Sequence, residues 1–222
     1  VDGMGIVASY EQAQSIIPEG GRNESLFKTA AQLKSDKASV DEAKVLPEPP
    51  VLAQSEAAGF KLSTQEDIFS THAGYNEREY RWGDAKAKII DYILLDGDRQ
   101  YPASAATGSK LTVLVNILFL QDIFRPILGF TVKTKAGQVV YGSNTEISES
   151  RGAQVFQSMG RAGSVVQAKI NFEANLSAGD YFLSFGVASQ QENGPEPHDR
   201  RFDSVHLVVE PTPTFFGVTN LN

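Results

Sequence analysis

From residue 75 onward, apolar and polar side chains alternate in short segments, as they do in β-strands that bury one face. Residues 110–120 place Leu111, Val113, Val115, Ile117 and Phe119 on one face, and residues 165–173 alternate with the same period. Further strands are predicted over residues 86–95, 130–135, 138–141, 180–188 and 204–210. Short strands between Gly, Pro and Asp turns, without long amphipathic helices, predict a mainly β fold. We expect an antiparallel β-sandwich of the jelly-roll or immunoglobulin-like type.

The first 65 residues differ in composition from the rest of the chain. Ala, Glu, Lys, Gln and Ser are frequent there and β-branched residues are few, which indicates helix or disorder. Short helices are predicted over residues 5–17 and 25–33, and the prolines within 47–50 favour an extended tether. We therefore expect a leader (1–17), a helical or flexible linker (18–65) and a β-sandwich (66–222).

Composition narrows the possible partners and the compartment. The net charge of −7 argues against nucleic acid or an anionic membrane as the main partner, because both are bound by clustered Lys and Arg. The absence of cysteine excludes disulfides and thiolate metal sites and fits a reducing compartment. No run approaches the roughly 20 apolar residues of a membrane span. A cytoplasmic domain is expected.

Sequence motifs of catalysis are absent. The chain contains no phosphate-binding loop, no G-x-S-x-G nucleophile elbow and no H-E-x-x-H metal helix, so we predict no catalytic residues, no cofactor and no metal. One alternative remains, a metal-dependent sugar-modifying enzyme on a jelly roll. It would need His198 and His206 together with Asp199 or Asp203 as ligands.

Two segments carry side chains that suit a sugar ligand. The first is Tyr-Arg-Trp-Gly at 80–83, where Trp82 is the only tryptophan of the chain. An aromatic ring stacks on the C–H face of a sugar, and Arg81 offers planar donors to the hydroxyls, although Trp82 packing the end of the sandwich is the competing interpretation. The second is the polar stretch 190–203, predicted as a long loop in which His198, Arg200 and Arg201 receive a hydroxyl-rich or anionic ligand.

Several motifs in order resemble the C-terminal domain of Wzt, the ATPase of O-antigen ABC exporters. They are GFTVK at 129–133 with AGQVVYGSNT at 136–145, RWGDA at 81–85 with Ile89, LSAGDYFLS at 176–184 and HDRRFD at 198–203. The resemblance covers about residues 75–220. In addition, residues 2–11 look like the last turn and helix of an ABC nucleotide-binding domain, so the leader resembles the end of that ATPase domain.

The resemblance implies a function in polysaccharide export. Members of the family bind the non-reducing, often capped, terminus of lipid-linked O-antigen polysaccharide and present it to the transporter. It implies a non-enzymatic domain at the inner membrane, reached through the transporter's transmembrane subunit and the ATPase domain. Tyr141 and Asn144 match the family's Tyr-Gly-x-Asn-Thr element. Second choices for a groove floor are the outward residues of two predicted strands, Thr112, Asn116, Thr131 and Lys133.

A different class of function is also open. The apolar segment 213–218 follows two prolines and includes Phe215 and Phe216, so it could add a strand to a second copy. Such an exchange gives a homodimer. A structural or protein-interaction sandwich that pairs through an exposed edge is therefore the alternative to glycan binding.

Overall fold

The computed structural model describes residues 6–11, 60–192, 194–211, 215 and 217–220. Within this part of the chain, a 3₁₀ helix (Phe69–Thr71) and one short helix, α1 (Arg151–Phe156), accompany the strands. The strands are β1 (Ile6–Glu11), β2 (Tyr80–Trp82), β3 (Ala87–Asp96), β4 (Arg99–Gln100), β5 (Ala105–Ala106), β6 (Lys110–Phe119), β7 (Pro126–Thr134), β8 (Val139–Asn144), β9 (Val165–Glu173), β10 (Gly179–Gln191) and β11 (Gly194–Glu210).

The strands form two sheets. Sheet A has the order β1-β9-β6-β3-β4, and sheet B has the order β2-β11-β10-β7-β8. Neighbours in both orders are antiparallel, while β5 adds a short parallel pairing beside β11. The predicted antiparallel β-sandwich is confirmed. Among the described residues, none of the helices is long and apolar enough to cross a membrane.

The main hydrophobic core lies between the two sheets. The five apolar side chains of β6 that alternate in sequence are all buried there, as are Tyr181, Leu183, Phe185 and Val187 of β10. The hairpin predicted around Ala136-Gly137 joins β7 to β8, and Gly137 has φ of +85°, a backbone conformation that glycine adopts easily. The period of two therefore identified the inward faces correctly.

The outer face of sheet A is covered in part by residues 60–63. Leu62 packs against Ile93, Leu95 and Leu114, and the Asn116 side chain donates a 2.8 Å hydrogen bond to the carbonyl of Ser63. These residues were predicted as the end of the linker. They pack on the sandwich because β3 and β6 are apolar on both faces, so the outward Leu114 and Ile93 need cover.

The helix predicted over residues 5–17 is wrong where the structure describes it. Residues 6–11 form β1, which pairs antiparallel with β9 along Val165–Ile170. The segment contains β-branched and aromatic residues at positions 6, 7 and 10, and β9 offers it an edge to pair with. The helix predicted over 25–33 and the linker up to residue 59 lie outside the described residues.

The long loop predicted over residues 190–203 is also wrong. β10 continues to Gln191 and β11 already begins at Gly194, so most of the segment is paired strand. The alternation was hidden because the β10–β11 pairing shifts register twice, between Leu183 and Phe185 and between Val187 and Ala188. At the first shift Asp203 has φ of +56°. Such irregularities reverse the face on which successive side chains lie.

Candidate functional site

A shallow groove crosses the outer face of sheet B. In one row across three neighbouring pairs of strands, Arg200 lies opposite Gly186, Gly186 opposite Gly129, and Gly129 opposite Asn144. The two central glycines have no side chain, so the Arg200 side chain lies over Gly186 and the backbone of β7 is open at Gly129, between Arg200 and Asn144. The resulting groove has a volume of about 320 Å³.

The walls of the groove combine apolar and hydroxyl-bearing side chains. Ser184 of β10 and Thr131 of β7 are paired beside the glycine row, and Phe202 of β11 completes this wall. Further lining comes from apolar residues and one carboxylate, namely Ile127, Ala188, Pro195, Glu146 and Ile147. A surface of this kind can contact the C–H face of a sugar and hydrogen-bond its hydroxyls at the same time.

Arg200 is held at the edge of the groove without a protein acceptor. Its stem lies directly over Gly186, where an added Cβ would be 2.7 Å from the Arg200 Cδ atom. The guanidinium carbon is 5.3 Å from the centre of the Phe202 ring. Across the described residues, no carboxylate or carbonyl accepts a hydrogen bond from this guanidinium, so its donors are free to bind a ligand.

Lys133 also lies near this ring. Its Nζ atom is 5.0 Å from the centre of the Phe202 ring and 3.2 Å from Oδ1 of Asp203. Two cations therefore lie near Phe202, of which only Lys133 has a carboxylate partner among the described residues. This end of the groove favours a ligand with negative charge or many acceptors.

Trp82 lies on the outer face of sheet B in the same row as Arg200. The pairing of β2 with β11 sets Trp82 opposite Arg200 and Tyr80 opposite Phe202. Trp82 is 42% exposed and Tyr80 is 66% exposed. Trp82 thus presents its ring at the surface, in contrast to the alternative in which it plugs the end of the sandwich.

Arg81 points the other way, into an ion-pair network at the edge of the sandwich. Its Nε and Nη2 atoms each donate 2.8 Å hydrogen bonds to the two oxygens of Asp199, and Asp67 accepts a third. Burial disfavours the charged form, but the hydrogen bonds and charges of Asp199 and Asp67 prevail and raise the pKa of Arg81 above its ordinary value. These bonds attach β2 to the sandwich.

Arg201 is a buried structural residue, with a side chain 2% exposed. Nε and Nη2 donate to the two oxygens of Glu79 at 2.7 and 2.9 Å, and Nη1 donates to the Ile89 carbonyl at 2.9 Å. The guanidinium carbon lies 3.7 Å from the centre of the Phe69 ring. The expectation that Arg201 contacts a ligand from a loop conflicts with this position, because β11 turns the side chain inward.

His198 is buried as well. Its Nδ1 lies 2.9 Å from Oδ1 of Asp84, and its Nε2 lies 3.0 Å from Oγ of Ser189. Both ring nitrogens therefore have protein partners. Burial opposes ionisation of Asp84, but hydrogen bonds from Lys86 and His198 outweigh it and lower the pKa of Asp84 to about 2. The sequence prediction that His198 binds a ligand from an exposed loop does not fit this environment.

The metal alternative places His198 and His206 in one site. They lie eight residues apart on β11, about 25 Å along an extended strand, and His206 instead meets Asp180 at 2.7 Å. Asp84, Glu196 and His198 do bring their ligand atoms within 4.8 Å of one another. However, the Lys86 ammonium lies 3.0 Å from Asp84 and 3.1 Å from Glu196, so a lysine already supplies the positive charge.

Asn144 and Tyr141 have different positions on β8. Asn144 ends the glycine row and lines the groove, while its Oδ1 accepts hydrogen bonds from the backbone N–H groups of Glu146 and Ile147 at 2.8 and 3.0 Å. It therefore shapes the turn that forms one wall. Tyr141 lies opposite Val132, is partly exposed at the sheet edge and does not line the groove.

The four second-choice residues do not share a sheet. Thr112 and Asn116 lie on β6 of sheet A, and Asn116 is buried under residue 63. Thr131 and Lys133 lie on β7 of sheet B, where Thr131 lines the groove. A common floor is therefore excluded, although Thr131 is brought to the candidate site.

Sequence reasoning missed the glycines of the floor. Gly129 and Gly186 interrupt strands that otherwise alternate regularly, and a glycine within a strand often marks close approach of a ligand. That signal was present in the sequence. The sequence could not show that these glycines lie next to Arg200, because the order of β7, β10 and β11 in the sheet was unknown.

The described residues thus form an antiparallel β-sandwich with an open groove of mixed polarity on sheet B. The chain belongs to the Wzt C-terminal domain family, whose model matches residues 78–221. It is similar to a crystal structure of the C-terminal domain of Wzt, with 32% sequence identity and a TM-score of 0.61, over 70% of this chain and 92% of that chain. No curated protein matches the chain. The resemblance inferred from the motifs is confirmed.

Proposed function

We propose that this chain binds the non-reducing, capped terminus of lipid-linked O-antigen polysaccharide and recruits it for export by an ABC transporter. The observation that carries the proposal is the glycine-floored groove of sheet B, which is open at the surface and ends at Arg200, an arginine without an acceptor in the described part of the chain. Membership of the Wzt C-terminal domain family supports the same function.

The groove would hold a sugar ring by contacts along its floor and walls. A ring that lies on the backbone at Gly129, beside the Arg200 side chain, places its C–H groups near the apolar residues of the groove wall. Its hydroxyls then lie within reach of Ser184 and Thr131. Such sites are shallow and bind weakly, so two copies in a homodimer would add avidity.

The free donors of Arg200 favour a cap that carries a phosphate or carboxylate. A guanidinium binds such groups in a bidentate manner, and a partly buried one gains most from an opposite charge. The whole chain has a net charge of −7, so the protein as a whole repels anions. An anionic ligand would therefore bind at a local site such as the Arg200 guanidinium and not over the general surface.

The remaining parts of the proposal concern the context of the domain. It acts without catalysis, at the cytoplasmic side of the inner membrane, and reaches the transmembrane subunit through an ATPase domain. Contacts with the terminal sugar are assigned to Arg200, Asn144 and Thr131, which line the groove, whereas Trp82 lies outside it on the same face of sheet B. Arg81, His198 and Arg201 hold the scaffold, and Tyr141 and Lys133 lie beside the groove.

Strand exchange through the C-terminal segment remains the proposed route to the dimer. In the single chain, Thr219 pairs with Leu176, and the backbone N–H of Ser177 donates to the Val218 carbonyl at 2.9 Å. The same backbone groups could accept the segment of a second copy. A concentration-dependent dimer that is lost on removing residues 211–222 supports exchange, whereas an unchanged mass contradicts it.

The test of the glycan proposal is calorimetric titration with capped and uncapped O-polysaccharide from the source strain. We expect binding of the capped form only, and its loss in Arg200→Ala. The matched control is Arg161→Ala, which removes an exposed arginine outside the groove. A folded wild-type protein that ignores both glycans contradicts the proposal and favours the edge-pairing alternative.

A further inference from the structure

Two aromatic rings stand exposed beside the groove on the same face of sheet B. Tyr80 and Trp82 both lie on the short edge strand β2, and each is turned outward by its pairing with Phe202 and Arg200. The Tyr80 ring is nearly parallel to that of Phe202, with 16° between planes and 6.3 Å between centroids. Exposed apolar side chains that lie next to each other form a patch, and such patches often mark a binding surface.

Contacts that do not involve these rings also attach β2 to the sandwich. The inward residue between them, Arg81, attaches the strand through Asp199 and Asp67, and β2 pairs with β11 through three residues. Tyr80 and Trp82 project from the opposite side of this short strand. Tyr80 and Trp82 therefore belong to the outer surface of sheet B and are not part of the core between the sheets.

The rings are continuous with the groove. Trp82, Arg200, Gly186 and Gly129 occupy successive strands in one row, so Trp82 lies about 12 Å from the middle of the glycine floor at the usual spacing between strands. Arg200 and Phe202 line the groove on one side and adjoin β2 on the other. That distance exceeds the length of one sugar ring, so only a glycan of more than one unit can contact both the groove and Trp82.

Trp82 also lines a second hollow, of about 270 Å³. Its other lining residues are Gly83, Ala85 and Lys88 together with Arg81, His198 and Asp199 of the ion-pair network. An exposed indole bordered by an amine and backbone polar groups provides a stacking face together with hydrogen-bonding partners for hydroxyls.

We propose that Tyr80 and Trp82 form a stacking platform that binds the sugar units preceding the terminal one, so that the domain recognises an oligosaccharide segment rather than a single end residue. This inference rests on the proposed function, in which the terminus occupies the groove. Arg200, between platform and groove, then contacts both units.

The test compares a single capped sugar residue with capped oligosaccharides of increasing length. For the wild type we expect affinity to rise about three- to tenfold on adding the units that reach the platform. This is the gain in affinity that one aromatic stacking contact provides. Tyr80→Ala and Trp82→Ala should lose this gain yet bind the single capped residue as the wild type does. Phe124→Ala, an exposed aromatic outside this face, is the matched control.

The chain also provides a readout that needs no substitution. Trp82 is the only tryptophan, so its fluorescence should change when a longer oligosaccharide binds and stay unchanged with the single capped residue. Equal affinity for all lengths with an unchanged emission overturns the platform and leaves the proposed function intact. Failure of every capped glycan to bind overturns the proposed function itself, and the platform with it.

Discussion

Two adjacent arginines on β11 should respond to substitution in opposite ways. Arg201 points into the sandwich, where Glu79 accepts two of its hydrogen bonds, whereas Arg200 points to the groove and lacks a protein acceptor among the described residues. Arg201→Met should destabilise the fold without a specific effect on glycan binding. Arg200→Met should weaken glycan binding with little change in stability.

The loss of unfolding free energy expected for Arg201→Met can be estimated from the environment of its partner, Glu79. The Glu79 side chain is only 4% exposed, so removing its partner leaves a buried carboxylate without a counter-charge. Breaking a buried ion pair in this way costs about 3–5 kcal/mol of unfolding free energy, which corresponds to about 6–20 °C in Tm for a domain of this size. Arg200→Met should cost less than about 1 kcal/mol, as most surface substitutions do.

The assay is urea unfolding monitored by circular dichroism, with calorimetric titration of the capped glycan in parallel. The double variant Arg201→Met with Glu79→Gln should recover part of the lost stability, since it removes the unpaired charge. If Arg201→Met is as stable as wild type but no longer binds glycan, Arg201 is a ligand contact, and its structural role in the ion pair with Glu79 is refuted.

Of three further predictions, two concern the groove and one concerns the pH dependence of stability. Gly129→Ala should weaken glycan binding in calorimetry while leaving the unfolding free energy nearly unchanged, since its Cβ would meet its nearest neighbour at 3.8 Å but project into the floor. Gly186→Ala should weaken binding by displacing Arg200, whose Cδ would lie 2.7 Å from the new Cβ, and crystallography of the variant should reveal the shift. Asp84 has a lowered pKa, so its ionised form stabilises the fold above pH 3.8, and this contribution is lost as pH falls to about 2. The stability difference between wild type and Asp84→Asn in urea unfolding should shrink over that range; a constant difference contradicts the assignment.

The sequence predicted the fold where local pattern and tertiary environment agree. β6 and β9 bury one face against sheet B, so their period of two marks the core directly. The turn at 136–137 is encoded by its glycine. By contrast, residues 194–203 are polar because their partners come from distant parts of the chain, as when Asp199 accepts a hydrogen bond from the backbone of Ile89. The local pattern of apolar and polar residues cannot predict a hydrogen-bond partner that is distant in the sequence.

The site was predicted in part for the same reason. Arg200 and Trp82 were chosen for their chemistry, and the structure sets them side by side on one face. Arg201 and His198 have equally suitable chemistry, but β11 turns them inward. One residue of register separates Arg200, which lines the groove, from Arg201, which forms a buried ion pair, and register is fixed in β11 by irregular pairing that the sequence does not reveal.

The most direct test of the groove is NMR titration of the isotope-labelled protein with a capped oligosaccharide, monitoring assigned backbone amides. We predict that the amide signals of Gly129 and Gly186 shift most, together with those of Arg200 and Asn144, while those of β6 in sheet A stay in place. Shifts confined to sheet A, or binding without any change at the two glycines, would contradict glycan recognition in this groove.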